Sequence, residues 1–163
     1  MTTTPSILLT GRIPSSVLAA LESIGDVDQY QADGIDVMPH DELVRRVAGK
    51  QALVSLITDT IDRAVVEAGT DLRVIANIGV GYNNIDVAAA RERRVPVTNT
   101  PGVLNDATAD LAWALILGIT RRVGEGERLV RGGGWKGFKF DFMLGSELGD
   151  KQLGIVGYGG IGR

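Results

Sequence analysis

The chain has 163 residues, no cysteine, and a formal charge of −3 from 17 basic and 20 acidic side chains, a size that allows one full domain and little beyond it. Its 44% hydrophobic and 23% charged residues exclude extensive disorder, and the lack of cysteine excludes disulfides, thiolate metal sites and a cysteine nucleophile. The mildly acidic balance gives no surface for a polyanion, so no nucleic-acid partner is expected, and with no apolar stretch near the ~18 residues of a membrane span the expectation is a cytoplasmic protein with no membrane partner.

Short apolar runs alternate with helix-like segments from the start. Residues 6–10 read as a buried strand, 15–24 as an amphipathic helix, 27–31 as a weaker strand and 41–48 as a helix. Residues 52–57, 72–78 and 95–98 read as further strands, with helices over 62–68 and 85–94 between them. Strands and helices in this order call for an α/β fold, a flavodoxin-like doubly wound parallel sheet with right-handed crossovers. The ligand edge of such a sheet lies beyond the carboxyl ends of its strands. Residues 106–131 then read as one long helix, about 39 Å if unbroken. Its first half, LAWALILGI (111–119), is apolar on every face and calls for cover by protein, and Gly132, Gly133 and Gly134 end it. After an aromatic loop the chain closes on KQLGIVGYGGIGR, where 153–156 reads as a strand.

Three segments carry candidate chemistry. Gly157, Gly159 and Gly162 fit G-x-G-x-x-G after the last strand, a pattern that suits a dinucleotide pyrophosphate but also occurs as a plain turn. Ile78 to Asp86 follows the fourth strand, and its two glycines free backbone amides that suit a small carboxylate; the same residues also read as a tight turn in which Asn83 and Asp86 cap the next helix. Residues 98–108 turn at Pro101-Gly102 and place Asn105 or Asp106 as a helix cap. Thr108 there is either a hydroxyl for a phosphate or ribose, or a plain first-turn residue. His40, the only histidine, reads as a surface or capping residue, and Phe138-Lys139-Phe140 as loop packing.

In this order the pieces NIGVGYNNID (77–86), VPVTNTPGVLNDATADLAWALIL (95–117), RGGGWKGF (131–138) and LGSELGDKQLGIVGYGGIG (144–162) resemble the D-isomer-specific 2-hydroxyacid dehydrogenase family, in particular its glyoxylate and hydroxypyruvate reductases. The resemblance implies a substrate domain over residues 1–99. Residues 100–163 would open a dinucleotide-binding (Rossmann) domain, with the long helix, the aromatic loop and the first Rossmann strand. It implies a small 2-keto or 2-hydroxy acid as substrate, NAD or NADP as cofactor, and a homodimer. By the same resemblance the amides of Val80 and Gly81 hold the substrate carboxylate and Leu56 lines its pocket. Thr108, Gly157, Tyr158, Gly159, Gly160, Ile161 and Gly162 contact the cofactor. Gly160 departs from the larger residue common in the family, which bears on the cofactor grip. The family's catalytic arginine, glutamate and histidine follow the glycine fingerprint and are expected after Arg163, so none is assigned in this chain. Two readings stand at this point: the first half of an oxidoreductase, or a non-catalytic binding or dimerisation module, or gene remnant, derived from one.

Overall fold

A computed structural model describes residues 4–31 and 37–163. The strands β1 (Ser6–Leu9), β2 (Asp26–Gln29), β3 (Ala52–Leu56), β4 (Val74–Ile78) and β5 (Val97–Thr98) form one sheet in the order β2-β1-β3-β4-β5, every pair parallel. The helices α1 (Ser15–Glu22), α2 (His40–Arg46), α3 (Arg63–Ala68) and α4 (Val87–Glu92) alternate with them, and α5 (Asn105–Thr120) and α6 (Val123–Arg131) follow. By internal contacts the chain divides into Met1–Pro101 and Gly102–Arg163.

In the first unit the register explains the apolar pattern. Leu8, Leu53 and Ile75 stand side by side across β1, β3 and β4, and all three are fully buried with Leu43, Val65 and Ala90. Their neighbours Ile7, Leu9 and Val54 turn to the opposite face, under Leu18 and Leu21 of α1. Runs buried on both faces are what a parallel sheet demands. At the β2 edge Arg46 pairs with Asp28 and with Glu42 (3.2 Å) and lies over the Tyr30 ring, while Lys50 adds a second cation to Asp28 at 2.9 Å. The Arg46 hydrogen bond dominates in holding the Asp28 carboxyl below the usual carboxylate range.

The second unit corrects three expectations. The long helix is two helices: Arg122 is left-handed (φ 55°), its guanidinium reaching Glu125 at 2.5 Å. The Thr120 hydroxyl donates to the Ile116 carbonyl at 2.7 Å, and the Ser146 amide takes the Thr120 carbonyl that a continuing helix would have used. Neither Asn105 nor Asp106 caps α5, whose N-cap is Leu104 without a side-chain hydrogen bond. No strand forms at 153–156, because a strand exists through a ladder and this segment has no partner among the described residues; Val156 is fully exposed. The apolar face of α5 is likewise open, with Leu111, Leu115 and Ile119 all more than half exposed. The glycines after α6 do end it, the amides of Gly132 and Gly134 closing on Arg128 and Leu129 carbonyls.

Substituting Leu53→Ala removes a fully buried side chain from the middle of the sheet and is expected to cost about 3 kcal/mol in urea denaturation, whereas Val156→Ala leaves the midpoint unchanged.

Candidate functional site

The carboxyl ends of β1, β3, β4 and β5 are joined by polar side chains in place of a ladder. Thr10, just past β1, gives its hydroxyl to the Asp59 carboxylate, and the Leu56 amide donates to Thr10 Oγ1 at 3.1 Å and to Asp59 Oδ2 at 2.7 Å. Across the β3–β4 register Ser55 faces Asn77, and the two buried side chains bond at 3.2 Å. Asn84 ties the two following turns together, its Nδ2 donating to the carbonyls of Leu56 (3.3 Å) and Asp59 (3.1 Å) and to Asn77 Oδ1 (3.3 Å). Of these groups Asp59 Oδ1 alone is buried without a partner among the described residues.

This bracket supports the turn after β4. Three successive carbonyls there are held from behind: Gly79 O by the Thr100 amide (2.9 Å), Val80 O by Asn99 Nδ2 (2.8 Å) and Gly81 O by Asn77 Nδ2 (2.8 Å). The amides of Val80, Gly81 and Tyr82 find no acceptor among the described residues, and all three residues are exposed. A Cβ on Gly79 would stand 3.2 Å from Ile57, a tight contact that asks that side chain to give, whereas a Cβ on Gly81 would meet nothing. Leu56 is half-buried next to this turn's bracket, and its methyl fills the space that a side chain on Gly11 would need (2.4 Å). A row of free amides at the carboxyl edge of a parallel sheet offers hydrogen-bond donors to a small anion.

The cap of α4 is Asp86 alone, which accepts from the Ala89 amide at 2.8 Å; the expected pairing with Asn83 does not occur, and Asn84 supplies the tie instead. His40 opens α2 with its Nε2 3.1 Å from Asp62, the side chain that caps α3. Burial pulls the Asp62 carboxyl upward, but the Val65 amide and His40 outweigh it and leave it lowered.

In the second unit the glycine fingerprint forms an open turn with neither strand nor helix beside it. Gly157 has φ +97°, Gly159 stands in open space, and a Cβ on Gly162 would lie 2.2 Å from the Gly157 carbonyl. The positive φ and the open backbone suit a pyrophosphate, while the third role of the motif, close packing of a helix on the strand, has no counterpart here because residues 153–163 form neither element. Tyr158 and Ile161 are exposed at this turn. Gly160 lies against Asn105, whose amide nitrogen a Cβ would meet at 2.5 Å. Thr108 is exposed, its amide bonded to the Leu104 carbonyl.

Thr10, Ser55, Asp59, Asn77, Asn84 and Asn99 were not picked out by sequence reasoning. A signal was present for two of them: Ser55 and Asn77 interrupt otherwise apolar strands at the same register row, and a polar residue in a buried strand asks for a partner.

A family model described as D-isomer specific 2-hydroxyacid dehydrogenase, catalytic domain, matches residues 7–148. A Staphylococcus aureus protein named as an inferred 2-hydroxyacid dehydrogenase is 41% identical over 156 residues, which are 96% of this chain and 49% of that protein. The chain thus spans about half the length of the curated relatives it matches. The crystal structure of TT0316 protein from Thermus thermophilus superposes with a TM-score of 0.90 at 40% identity, over 96% of this chain and 50% of that one. An NADPH-dependent glyoxylate/hydroxypyruvate reductase from Sinorhizobium meliloti, in complex with NADP and malonate, gives a TM-score of 0.75 at 29% identity, over 98% and 48% of the two chains. Among the described residues no helix is long and apolar enough to cross a membrane, and no group of three or more His, Cys, Asp or Glu is placed to hold a metal.

Burial pushes the Asp59 carboxyl above the usual range, against the Thr10 hydroxyl and the Leu56 amide, which favour its charged form. The folded chain therefore holds this proton more tightly than the unfolded one. The stability it contributes is full below about pH 4 and is lost as the pH rises through the raised folded value. Asp59→Asn, a neutral mimic of the protonated acid, is expected to gain on the parent in urea denaturation as the pH rises from about 4 to about 7. A difference independent of pH contradicts this.

Proposed function

The chain belongs to the D-isomer specific 2-hydroxyacid dehydrogenase family, and from that premise we propose that its Val80–Gly81 turn binds the carboxylate of a small 2-keto or 2-hydroxy acid, such as glyoxylate or hydroxypyruvate, in an oxidoreductase. The observation that carries this reading is the row of held carbonyls and free amides from Gly79 to Tyr82. Two backbone donors facing a carboxylate make charge-assisted bonds, the stronger class of hydrogen bond. They fix the acid end and leave the adjoining C2 free to react, which is positioning in the catalytic sense. Leu56 supplies an apolar wall that suits a short carbon chain. The malonate bound by the Sinorhizobium meliloti reductase is itself a small carboxylate, which supports this ligand class.

The glycine turn from Gly157 to Gly162, with Tyr158, Gly159, Gly160 and Ile161, is proposed to hold NAD or NADP together with the Thr108 hydroxyl. That cofactor, when bound, supplies or accepts the hydride exchanged with the acid. Residues 1–99 then serve as the substrate domain and residues 100–163 as the opening of the dinucleotide-binding domain. The family's arginine, glutamate and histidine, by the resemblance, lie beyond Arg163. His40 is no substitute for that histidine, since it sits beside Asp62 at the start of α2 and its place is structural. The exposed apolar row of α5 supports a homodimer, and the composition supports a cytoplasmic location.

Calorimetric titration with glyoxylate tests the turn. Val80→Pro removes one free N–H without breaking an internal hydrogen bond and is expected to weaken binding about tenfold; unchanged affinity overturns the assignment. The 163-residue chain is also expected to give no NADH oxidation with glyoxylate, because the acid catalyst that the resemblance implies is assigned to none of its described residues; measurable turnover contradicts the division of labour.

A further inference from the structure

The two asparagines behind the turn do more than satisfy carbonyls. In a trans peptide the C=O of one residue and the N–H of the next point in opposite directions within one plane, and none of the described peptides is cis. Fixing a carbonyl therefore aims the following amide. Asn99 Nδ2 holds Val80 O at 2.8 Å, which sets the plane that carries the Gly81 N–H. Asn77 Nδ2 holds Gly81 O at 2.8 Å, which sets the plane that carries the Tyr82 N–H. Asn77 is itself held: it is buried, and its Oδ1 accepts from Ser55 Oγ at 3.2 Å and from Asn84 Nδ2 at 3.3 Å. Its carboxamide cannot rotate without leaving the buried Ser55 hydroxyl unpaired, which is costly in a buried site.

We propose that Asn99 and Asn77 are positioning residues that aim the Gly81 and Tyr82 N–H groups outward from the sheet edge, so that Tyr82 N–H joins Val80 and Gly81 as a third donor in the row. The ligand of that row rests on the carboxylate reading above; the aiming of the amides does not. An exposed glycine-rich turn without these two bonds would sample several peptide orientations and would have to order itself on binding, at a cost in affinity.

The test uses the full chain labelled with nitrogen-15, with amide order parameters measured before glyoxylate is added and shifts followed during its titration. In the parent chain the Gly81 and Tyr82 amides are expected near the ~0.85 of a rigid backbone. Asn99→Ala is expected to loosen Gly81 toward ~0.6 while Tyr82 stays ordered, and to weaken glyoxylate about fivefold. Asn77→Ala is expected to do the reverse, loosening Tyr82 first. If Asn77→Ala fails to fold, Ser55→Ala leaves Asn77 in place with one donor fewer, and a smaller loosening confined to Tyr82 is then expected. A general loss of stability would loosen both amides together, so the crossed pattern separates aiming from mere support. Equal loosening of both amides in each variant, or none in either, overturns the proposal. A parent chain that ignores glyoxylate while the crossed pattern holds keeps the aiming residues and removes the carboxylate as the ligand.

Discussion

Backbone carbonyls at the end of a parallel strand lose their ladder partners and must be satisfied otherwise. The chain solves this after β4 with side chains and a neighbouring amide, and the solution determines everything about the candidate site. Had water taken the three carbonyls from Gly79 to Gly81, the turn would be free to flip. With Thr100, Asn99 and Asn77 in their place, the turn has one face committed to the protein and one face of unused donors. A binding surface of this kind needs no charged side chain. In the proposed reading the uncommitted amides supply the positive end of the interaction, and their support from the sheet edge lowers the cost of ordering them on binding.

The bracket behind the turn places several polar groups in a sheet that is otherwise packed with leucine, isoleucine and valine. Such groups are tolerated only when each finds a partner. Ser55 and Asn77 meet this condition because the β3–β4 register sets them side by side. A slip by one residue would send Asn77 to the other face and bring Ile78 or Ala76 to its place. The register that buries Leu53 and Ile75 is thus the register that aims the Asn77 carboxamide at Gly81. Core packing and site geometry are one constraint, and Asp59 extends it to β1 through Thr10 and the Leu56 amide.

The sheet was legible in the sequence because apolar runs separated by amphipathic segments leave few arrangements open. The Val80–Gly81 turn was legible as well, since two glycines after a strand mark a backbone that must be free. Its supports were hidden. Asn77 reads locally as an interruption of a strand, and its meaning depends on Ser55, 22 positions away in the chain. The cap after the turn was half-read: Asp86 does cap α4, but the residue between the turns is Asn84, which only the folded arrangement of Leu56 and Asp59 distinguishes from Asn83. The stop at Arg122 escaped for a related reason. A left-handed residue at a helix end usually announces itself as glycine, and here an arginine takes that conformation with Glu125 beside its guanidinium.

The glycine fingerprint and the segment before it divide local from non-local information in a single stretch of ten residues, 153–162. The turn has its shape, positive φ at Gly157 and a Gly162 pressed against the Gly157 carbonyl, because glycines permit it wherever the chain around them stands. The strand at 153–156 has the right residues and no ladder, because its conformation is a property of a pair and not of a segment. The same distinction holds across the sheet: Asn99 and Asn77 act at distances of 19 and 4 positions, one non-local and one local, on adjacent peptide planes. Positioning a backbone amide to bind therefore draws on both kinds of information at once. A glycine makes the orientation accessible, and only a residue brought in by the fold makes it the sole one.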